Sequence, residues 1–276
     1  MSKHVEVPPE LGPIRPRVVG FRFEDVPRHW LAGGAAPTAM ANALGLLFPL
    51  GERFFIRSVR RYMDQVSPEM KAQIRGFFGQ EGRHAHEHER FFAIMRAQGI
   101  EIQRFLDFYE RTAFGGLERL FGPKMRLSVT VALEHYTAIF AEDAIGHGMI
   151  DRAHPVMRDL LGWHAAEEIE HKAVAFDVLK EVDPRYCLRI AGLALATVAL
   201  VGYWFLATFM LLRQEEGLTL RETLRQLREV QRVHPIGRMV FLRGIREYLR
   251  RDFHPWQNDN LAMARDFLAG LAPANA

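Results

Sequence analysis

The most constraining feature of this sequence is a set of three polar residues, His164, Glu168 and His171, inside an apolar segment rich in helix formers. They stand at positions i, i+4 and i+7, which places the three side chains on one face of a helix. Imidazole and carboxylate groups that face a neighbouring helix as one stripe are typical of metal sites inside helical bundles. The spacing therefore predicts both a helix and a metal-binding function.

A second Glu-x-x-His pair, Glu81 and His84, lies in a separate helical segment, and a single glutamate precedes each pair. Glu52 precedes the first pair by 29 residues, and Glu134 precedes Glu168 by 34 residues. One such pair is expected by chance, so the argument depends on the repeated order of Glu followed by Glu-x-x-His. That order is typical of dinuclear carboxylate sites in four-helix bundles.

The predicted metal ligands are seven residues that share helical faces with apolar side chains. They are Glu52, Glu81, His84, Glu134, His164, Glu168 and His171. Four carboxylates balance two divalent cations, and without cations their burial would cost several kcal/mol per charge. Oxygen and nitrogen ligands favour two iron ions, with manganese or zinc as alternatives. We expect His164 to provide a third imidazole, on the second metal.

Other residues near these motifs are predicted to line a pocket or to hydrogen-bond the ligands: His88, His135, Thr137 and Ala138. Glu167 and Glu170 lie off the stripe, so we expect them to point outward into solvent. No nucleophile elbow, phosphate-binding glycine loop or dinucleotide fingerprint is present in the sequence. We therefore predict no catalytic residues beyond the metal ligands.

The composition excludes several classes of protein. A single cysteine, Cys187, excludes an internal disulfide framework and a metal site built from cysteines, and it fits a reducing compartment. The formal net charge of +3 is small, and we expect no nucleic-acid partner. The N-terminal part is rich in proline and charge and lacks a signal-type apolar run. We expect a cytoplasmic protein, or one associated with the cytoplasmic face of a membrane.

The periodicity predicts an all-α, ferritin-like four-helix bundle with additional connector and C-terminal helices. The bundle helices are expected near 39–66, 68–97, 124–145 and 155–182, with connector pieces at 102–108 and 117–121 separated by Gly115 and Gly116. We divide the chain into a Pro-rich arm (1–38), the metal-binding bundle (39–185) and a C-terminal region (186–276).

The C-terminal region contains an uncharged stretch, 190–212, that is long enough to span a bilayer. Arginines lie on both sides of it, so the positive-inside rule assigns no orientation. Two arginine-rich amphipathic segments follow, at 218–233 and 237–251, and they suit a membrane surface or a partner protein. The alternatives are membrane association and a buried helix that forms a homodimer.

The ligand pattern resembles that of the di-iron arylamine N-oxygenases of the ferritin-like superfamily. The resemblance rests on Glu52, Glu81-x-x-His84, Glu134 and His164-x-x-x-Glu168-x-x-His171. Over about 40–185 the chain is also similar to a bacterial family of predicted metal-dependent hydrolases. That similarity rests on Gly82-Arg83-His84-Ala85-His86-Glu87-His88, on Glu134-His135-Tyr136-Thr137-Ala138, and on the segment from Trp163 to Asp177. Both resemblances imply a ferritin-like fold and a dinuclear site.

Our first functional hypothesis is a di-iron oxygenase or oxidase that uses O2 to oxidise a hydrophobic or lipid-like substrate, with electrons from an unknown donor. The alternative is a dinuclear hydrolase that uses metal-bound hydroxide. A second alternative is a non-catalytic, metal-stabilised module that binds a membrane or a partner.

Overall fold

All regular secondary structure in residues 12–271, the part of the chain that the structure describes, is helical. The structure is a computed structural model, and it confirms the predicted all-α bundle with one long apolar helix. The helices are α1 (Ala35–Gly45), α2 (Phe48–Arg60), α3 (Pro68–Ala97), α4 (Gln103–Tyr109), α5 (Glu118–Leu120), α6 (Pro123–Gly146), α7 (Pro155–His171), α8 (Val174–Val182), α9 (Tyr186–Leu212), α10 (Leu220–Val233), α11 (Arg243–Tyr248) and α12 (Leu261–Gly270).

The bundle consists of α2, α3 and α6 together with α7 and α8, which follow one another almost without interruption. Helix α3 shows how local sequence sets its bounds. The Ser67 hydroxyl accepts a hydrogen bond from the amide of Met70, and Pro68 occupies the first turn, where no intrahelical donor is needed. At the other end Gly99 has a φ of +78°, which suits glycine and stops the helix.

Two of the predicted bundle helices are each divided in two. The segment predicted at 39–66 forms α1, α2 and a short 3₁₀ turn, because Pro49 cannot donate an amide hydrogen bond to the carbonyl of Gly45. The segment predicted at 155–182 is interrupted at Lys172 and Ala173, directly after the ligand residue His171. The connector between α3 and α6 differs from the prediction in the opposite way, because it is continuous where we predicted a break. A π-helical turn over Glu110–Leu117 joins α4 to α5, so Gly115 and Gly116 do not break the helix.

The described part of the N-terminal arm packs against the bundle through buried aromatic residues. Phe23 contacts the ring of Phe91 on α3, and the Trp30 indole donates a hydrogen bond to Asn42 on α1. The arm crosses α3 where that helix presents Gly76 and Gly79, since a side chain at either position would overlap the arm. Residues 1–11 of the predicted arm and 272–276 of the C-terminal region lie outside the described residues. The three-part domain division remains a prediction.

The long apolar helix α9 packs along one side of the bundle against α6 and α1. Its inner face contains Gly192, Leu193 and Ala196, which are buried, while its outer face is exposed over most of its length. It is long and apolar enough to cross a membrane, and only 17% of its most apolar window is buried within the structure. Membrane association of α9 and its burial in a homodimer both remain predictions.

The helices after α9 pack against α1, α6, α7 and α9. Helix α10 contacts α1 and contains no fully buried residue. A π-helical turn at Gly237–Leu242 leads into α11, where Tyr248 is fully buried. Helix α12 packs against α7, which accommodates the Phe267 ring at Gly162.

Two glycines on α9 test its packing, since the same substitution should have opposite effects. A Cβ at Gly192 would overlap Ser128 of α6, so Gly192→Ala should destabilise the fold by about 1–3 kcal/mol. A Cβ at Gly202 would meet no atom within 4 Å outside its own helical turn, so Gly202→Ala should stabilise the fold by about 0.5–1 kcal/mol through higher helix propensity. Urea denaturation measures both, and equal effects would show that α9 does not pack closely on α6.

Candidate metal centre

The structure brings all seven predicted ligand residues together between helices α2, α3, α6 and α7. They form two groups, one of Glu52, His84 and His164 and the other of Glu81, Glu134, Glu168 and His171. Within each group the potential ligand atoms lie within 4.8 Å of one another, and every residue is buried. Two adjacent groups of oxygen and nitrogen atoms are the arrangement that a dinuclear site requires.

Glu168 lies between the two groups. Its Oε1 is 3.0 Å from His164 Nε2, 3.6 Å from His84 Nδ1 and 3.5 Å from His171 Nε2. One carboxylate therefore reaches imidazoles of both groups, which suits a bridging ligand.

His164 belongs to the group that contains Glu52 and His84, and not to the group of Glu81, Glu134, Glu168 and His171. Its assignment to the second metal remains a prediction. His164 lies one helical turn before Glu168, about 6 Å along the axis of α7, and this brings it level with Glu52 on α2. Its Nε2 lies 3.6 Å from Glu52 Oε1.

The hydrogen bonding of these side chains fits a pair of cations. Seventeen buried side-chain nitrogen and oxygen atoms in residues 12–271 form no hydrogen bond of regular geometry, and nine of them belong to the predicted ligands, although His171 Nε2 lies 3.0 Å from Glu81 Oε1. They include both oxygens of Glu52, Glu81 and Glu134. Buried polar atoms are otherwise almost always hydrogen-bonded, and an unsatisfied one costs about 1–3 kcal/mol. Coordination to metal would satisfy all nine atoms.

Burial and mutual repulsion shift the pKa values of the cluster in a way that favours protons where no cation is bound. Burial raises the pKa of Glu52 and Glu134 well above the usual value, and nearby carboxylates add to the shift. Burial also raises the pKa of Glu81, to about 6. For His171, burial lowers the pKa, but the surrounding carboxylates outweigh it and raise the pKa well above normal. Protons on these groups therefore take the place of metal charge.

Two of the three imidazoles donate their remaining N–H to a partner outside the cluster. His84 Nε2 lies 3.0 Å from Glu167 Oε2, so a proton on Nε2 leaves the lone pair of Nδ1 free for metal. For His171 the Nδ1 lies 2.9 Å from Gln80 Oε1. The Gln80 amide nitrogen donates to Glu170, which fixes the amide orientation and leaves His171 Nε2 as the ligand atom.

Glu167 and Glu170 are therefore buried hydrogen-bonding residues, and our prediction that they point into solvent was wrong. The reason is Arg17 of the N-terminal arm. Its guanidinium forms two bonds to Glu170, of 2.6 and 2.7 Å, and one of 3.0 Å to Glu167. The charge of Arg17 compensates their burial. Gly79 gives the arm the close approach to α3 that brings Arg17 to this position.

The predicted pocket residues occupy different places. His88 Nε2 lies 2.9 Å from His164 Nδ1, so His88 is the outer partner of the third imidazole. Thr137 lines the large cavity described below, and Ala138 is buried but not part of its lining. His135 is away from the site, since its ring donates to the carbonyl of Gly244 and packs against Tyr248 and Phe253.

A cavity of about 550 Å³ adjoins the cluster on one side. Glu52, His164 and Glu168 are part of its wall. Most of the remaining wall is apolar and includes Phe54, Leu133, Phe140, Leu200 and Trp204. Arg152, Arg225 and Glu229 also line it and are exposed, so the cavity opens to solvent beside them.

Metal affinity should decrease as the pH is lowered from about 8 to about 5. Binding must displace the protons that the raised pKa values of Glu52, Glu134 and His171 retain, so acid favours the metal-free form. Calorimetric titration in buffers of different ionisation enthalpy measures both affinity and proton release. Affinity independent of pH, with no proton release, would contradict this assignment.

The hydrogen bonds from the imidazoles to residues outside the cluster predict a second effect on metal affinity. Glu167→Ala should weaken metal binding about 10- to 100-fold, because His84 loses the acceptor that orients it. Arg17→Gln should also weaken metal binding, by a smaller factor than Glu167→Ala. The control is Glu181→Ala, at an exposed position on α8. Equal metal affinity in the Glu167 and Glu181 variants, measured by competition with a chelator, would refute the role of Glu167.

Comparison with known proteins adds one match. A family profile described as predicted metal-dependent hydrolase matches residues 15–259, a range that contains all seven predicted ligands. Searches of the curated proteins and of the solved structures found no match. The resemblance to arylamine N-oxygenases remains a prediction. Since the match covers most of the sequence, the chain belongs to the family of predicted metal-dependent hydrolases.

Proposed function

We propose that this protein is a dinuclear metal-dependent enzyme that converts a hydrophobic small molecule. The observation that carries the proposal is the shared wall between the cluster and the cavity, formed by Glu52, His164 and Glu168. A substrate in the cavity would reach the metals at this wall. Elsewhere in the cavity it would contact apolar side chains. Its volume lies within the range of small-molecule sites, about 300–1,000 Å³.

Hydrolysis is the reaction that the family description supports. Two bound cations would acidify a water molecule and polarise the bond to be cleaved. The seven ligand residues would hold the cations, and Glu167 and Gln80 would fix the imidazole orientations. Apolar residues such as Leu133 and Phe140 would orient the substrate and limit competing water.

Oxidation by O2 is the second candidate, and the ligand set favours it. All seven residues lie on bundle helices, and four carboxylates with three imidazoles provide the oxygen-rich coordination that iron accepts. A largely apolar cavity also suits a substrate with no bond to hydrolyse. This reaction requires an external electron donor, whose identity is unknown.

The two reactions are separated by loading the purified protein with one metal at a time. Protein loaded with zinc or manganese should cleave nitrophenyl esters, faster for longer acyl chains because the cavity is apolar. Glu168→Gln should abolish this turnover together with metal binding. Ester cleavage that survives in Glu168→Gln would contradict hydrolysis at the cluster. Absent cleavage, combined with O2 consumption by the ferrous protein and an oxidised product, would establish the second candidate.

A matched pair of substitutions on α9 tests the role of the cavity. Ala199 lines the cavity, whereas Ala194 is on the exposed face of the same helix. Ala199→Phe should lower kcat/KM by about tenfold or more for long substrates and leave the metal content unchanged, since bulk is added only to the cavity. Ala194→Phe should have no effect. Equal kcat/KM values in both variants would place the reaction elsewhere.

A further inference from the structure

The outer face of α9 carries a continuous apolar stripe that no other part of residues 12–271 covers. The side chains of Val198 and Phe205 are 74% and 73% exposed, and Val201 and Phe209 are also exposed. With Ala191 and Ala194 they repeat every three or four residues, so they form one line along the helix, about 27 Å long. Isolated exposed apolar residues are common, but a stripe of this length indicates a binding surface.

Neighbouring elements extend this stripe sideways. Phe108 of α4 is exposed and lies beside Tyr203, with ring centroids 6.4 Å apart. Near the other end of α9, Leu249 is exposed, and its carbonyl accepts a hydrogen bond from Tyr186. We call the stripe together with Phe108 and Leu249 the α9 face.

Arginines lie at both ends of the α9 face. Arg213 lies over the ring of Phe209 at one end of the helix, and Arg251 lies over the ring of Tyr186 at the other. Residues 220–251, which include α10 and α11, contain nine arginines and three glutamates. This segment therefore has an excess of six positive charges, although the whole chain has a net charge of only +3.

We propose that the α9 face binds the surface of an anionic phospholipid bilayer, with α9 lying in the plane of the interface. An apolar face bordered by arginines is the pattern of interfacial helices, in which apolar side chains enter the lipid and cations contact the headgroups. A second copy of the chain fits less well, because it would bring two positively charged segments together.

The packing of α9 determines how it meets the membrane. Its inner face is fixed to the bundle, since Gly192 contacts Ser128 and the Trp204 indole donates to the carbonyl of Met40. Only the outer face is available to lipid, so the helix lies on the bilayer and does not cross it alone. Inner-face residues Leu200 and Trp204 line the cavity, which places the cavity directly behind the membrane-binding face.

Co-sedimentation of the full chain with vesicles tests the proposal, and it requires no metal or substrate, so it is independent of the proposed function. The protein should sediment with vesicles of phosphatidylcholine and phosphatidylglycerol, less with phosphatidylcholine alone, and less as salt is added. Phe205→Glu should weaken binding at least tenfold. Arg213→Gln, at one end of α9, should weaken it about fivefold.

The controls use exposed positions away from the α9 face. Val18→Glu, at a side chain 68% exposed on the arm, and Arg75→Gln, at an exposed position on α3, should leave vesicle binding unchanged. Circular dichroism verifies that each variant is folded, and Val198→Glu provides an independent second change in the stripe. The proposal is overturned if the wild-type protein stays in the supernatant with both vesicle types. It is also overturned if Phe205→Glu only converts a dimer to a monomer in light scattering.

Discussion

The burial of four carboxylates among four helices is the constraint on which the rest of this structure depends. Glu52, Glu81, Glu134 and Glu168 come from α2, α3, α6 and α7, so each bundle helix contributes one. Four anions in a protein interior repel one another and lose their hydration, at a cost of several kcal/mol each. The bundle can contain them only with protons or cations in compensation. Burial and the neighbouring carboxylates raise the pKa of Glu52 and Glu134, which is the same constraint expressed as proton affinity.

The surrounding structure meets the cluster on two sides. On one side Arg17 neutralises Glu167 and Glu170, which act on His84 directly and on His171 through Gln80. The N-terminal arm is therefore part of the candidate metal centre. On another side the cavity gives a hydrophobic molecule access to Glu52, His164 and Glu168. Helix α9 closes that cavity with one face and presents an apolar stripe with the other.

The residues of the cluster could be identified from the sequence because helix periodicity is regular. The i, i+4, i+7 spacing of α7 and the two Glu-x-x-His pairs fix which side chains share a face, and that information is local. The bounds of α3 and α6 were also close to those predicted. Prolines and glycines were less reliable as indicators of where helices break. Pro49 divides a predicted helix, whereas Gly115 and Gly116 lie within a continuous one.

What the sequence could not provide is the set of contacts between distant segments. Arg17 and Glu170 are 153 residues apart, so no local pattern connects them, and without Arg17 the solvent prediction for Glu170 was the reasonable one. The placement of His164 with Glu52 depends on the axial stagger of α2 against α7, and the cavity depends on side chains from many elements. Stagger and cavity shape are properties of tertiary packing, which periodicity does not encode.

The central claim is that two metal ions bind among these seven residues. Anomalous diffraction from crystals of protein purified without added metal, collected on both sides of the absorption edge of the metal found by elemental analysis, tests it most directly. The account predicts two peaks, one within coordination distance of Glu52, His84 and His164 and the other of Glu81, Glu134 and His171, with Glu168 reaching both. A single peak, or peaks away from these side chains, would contradict it.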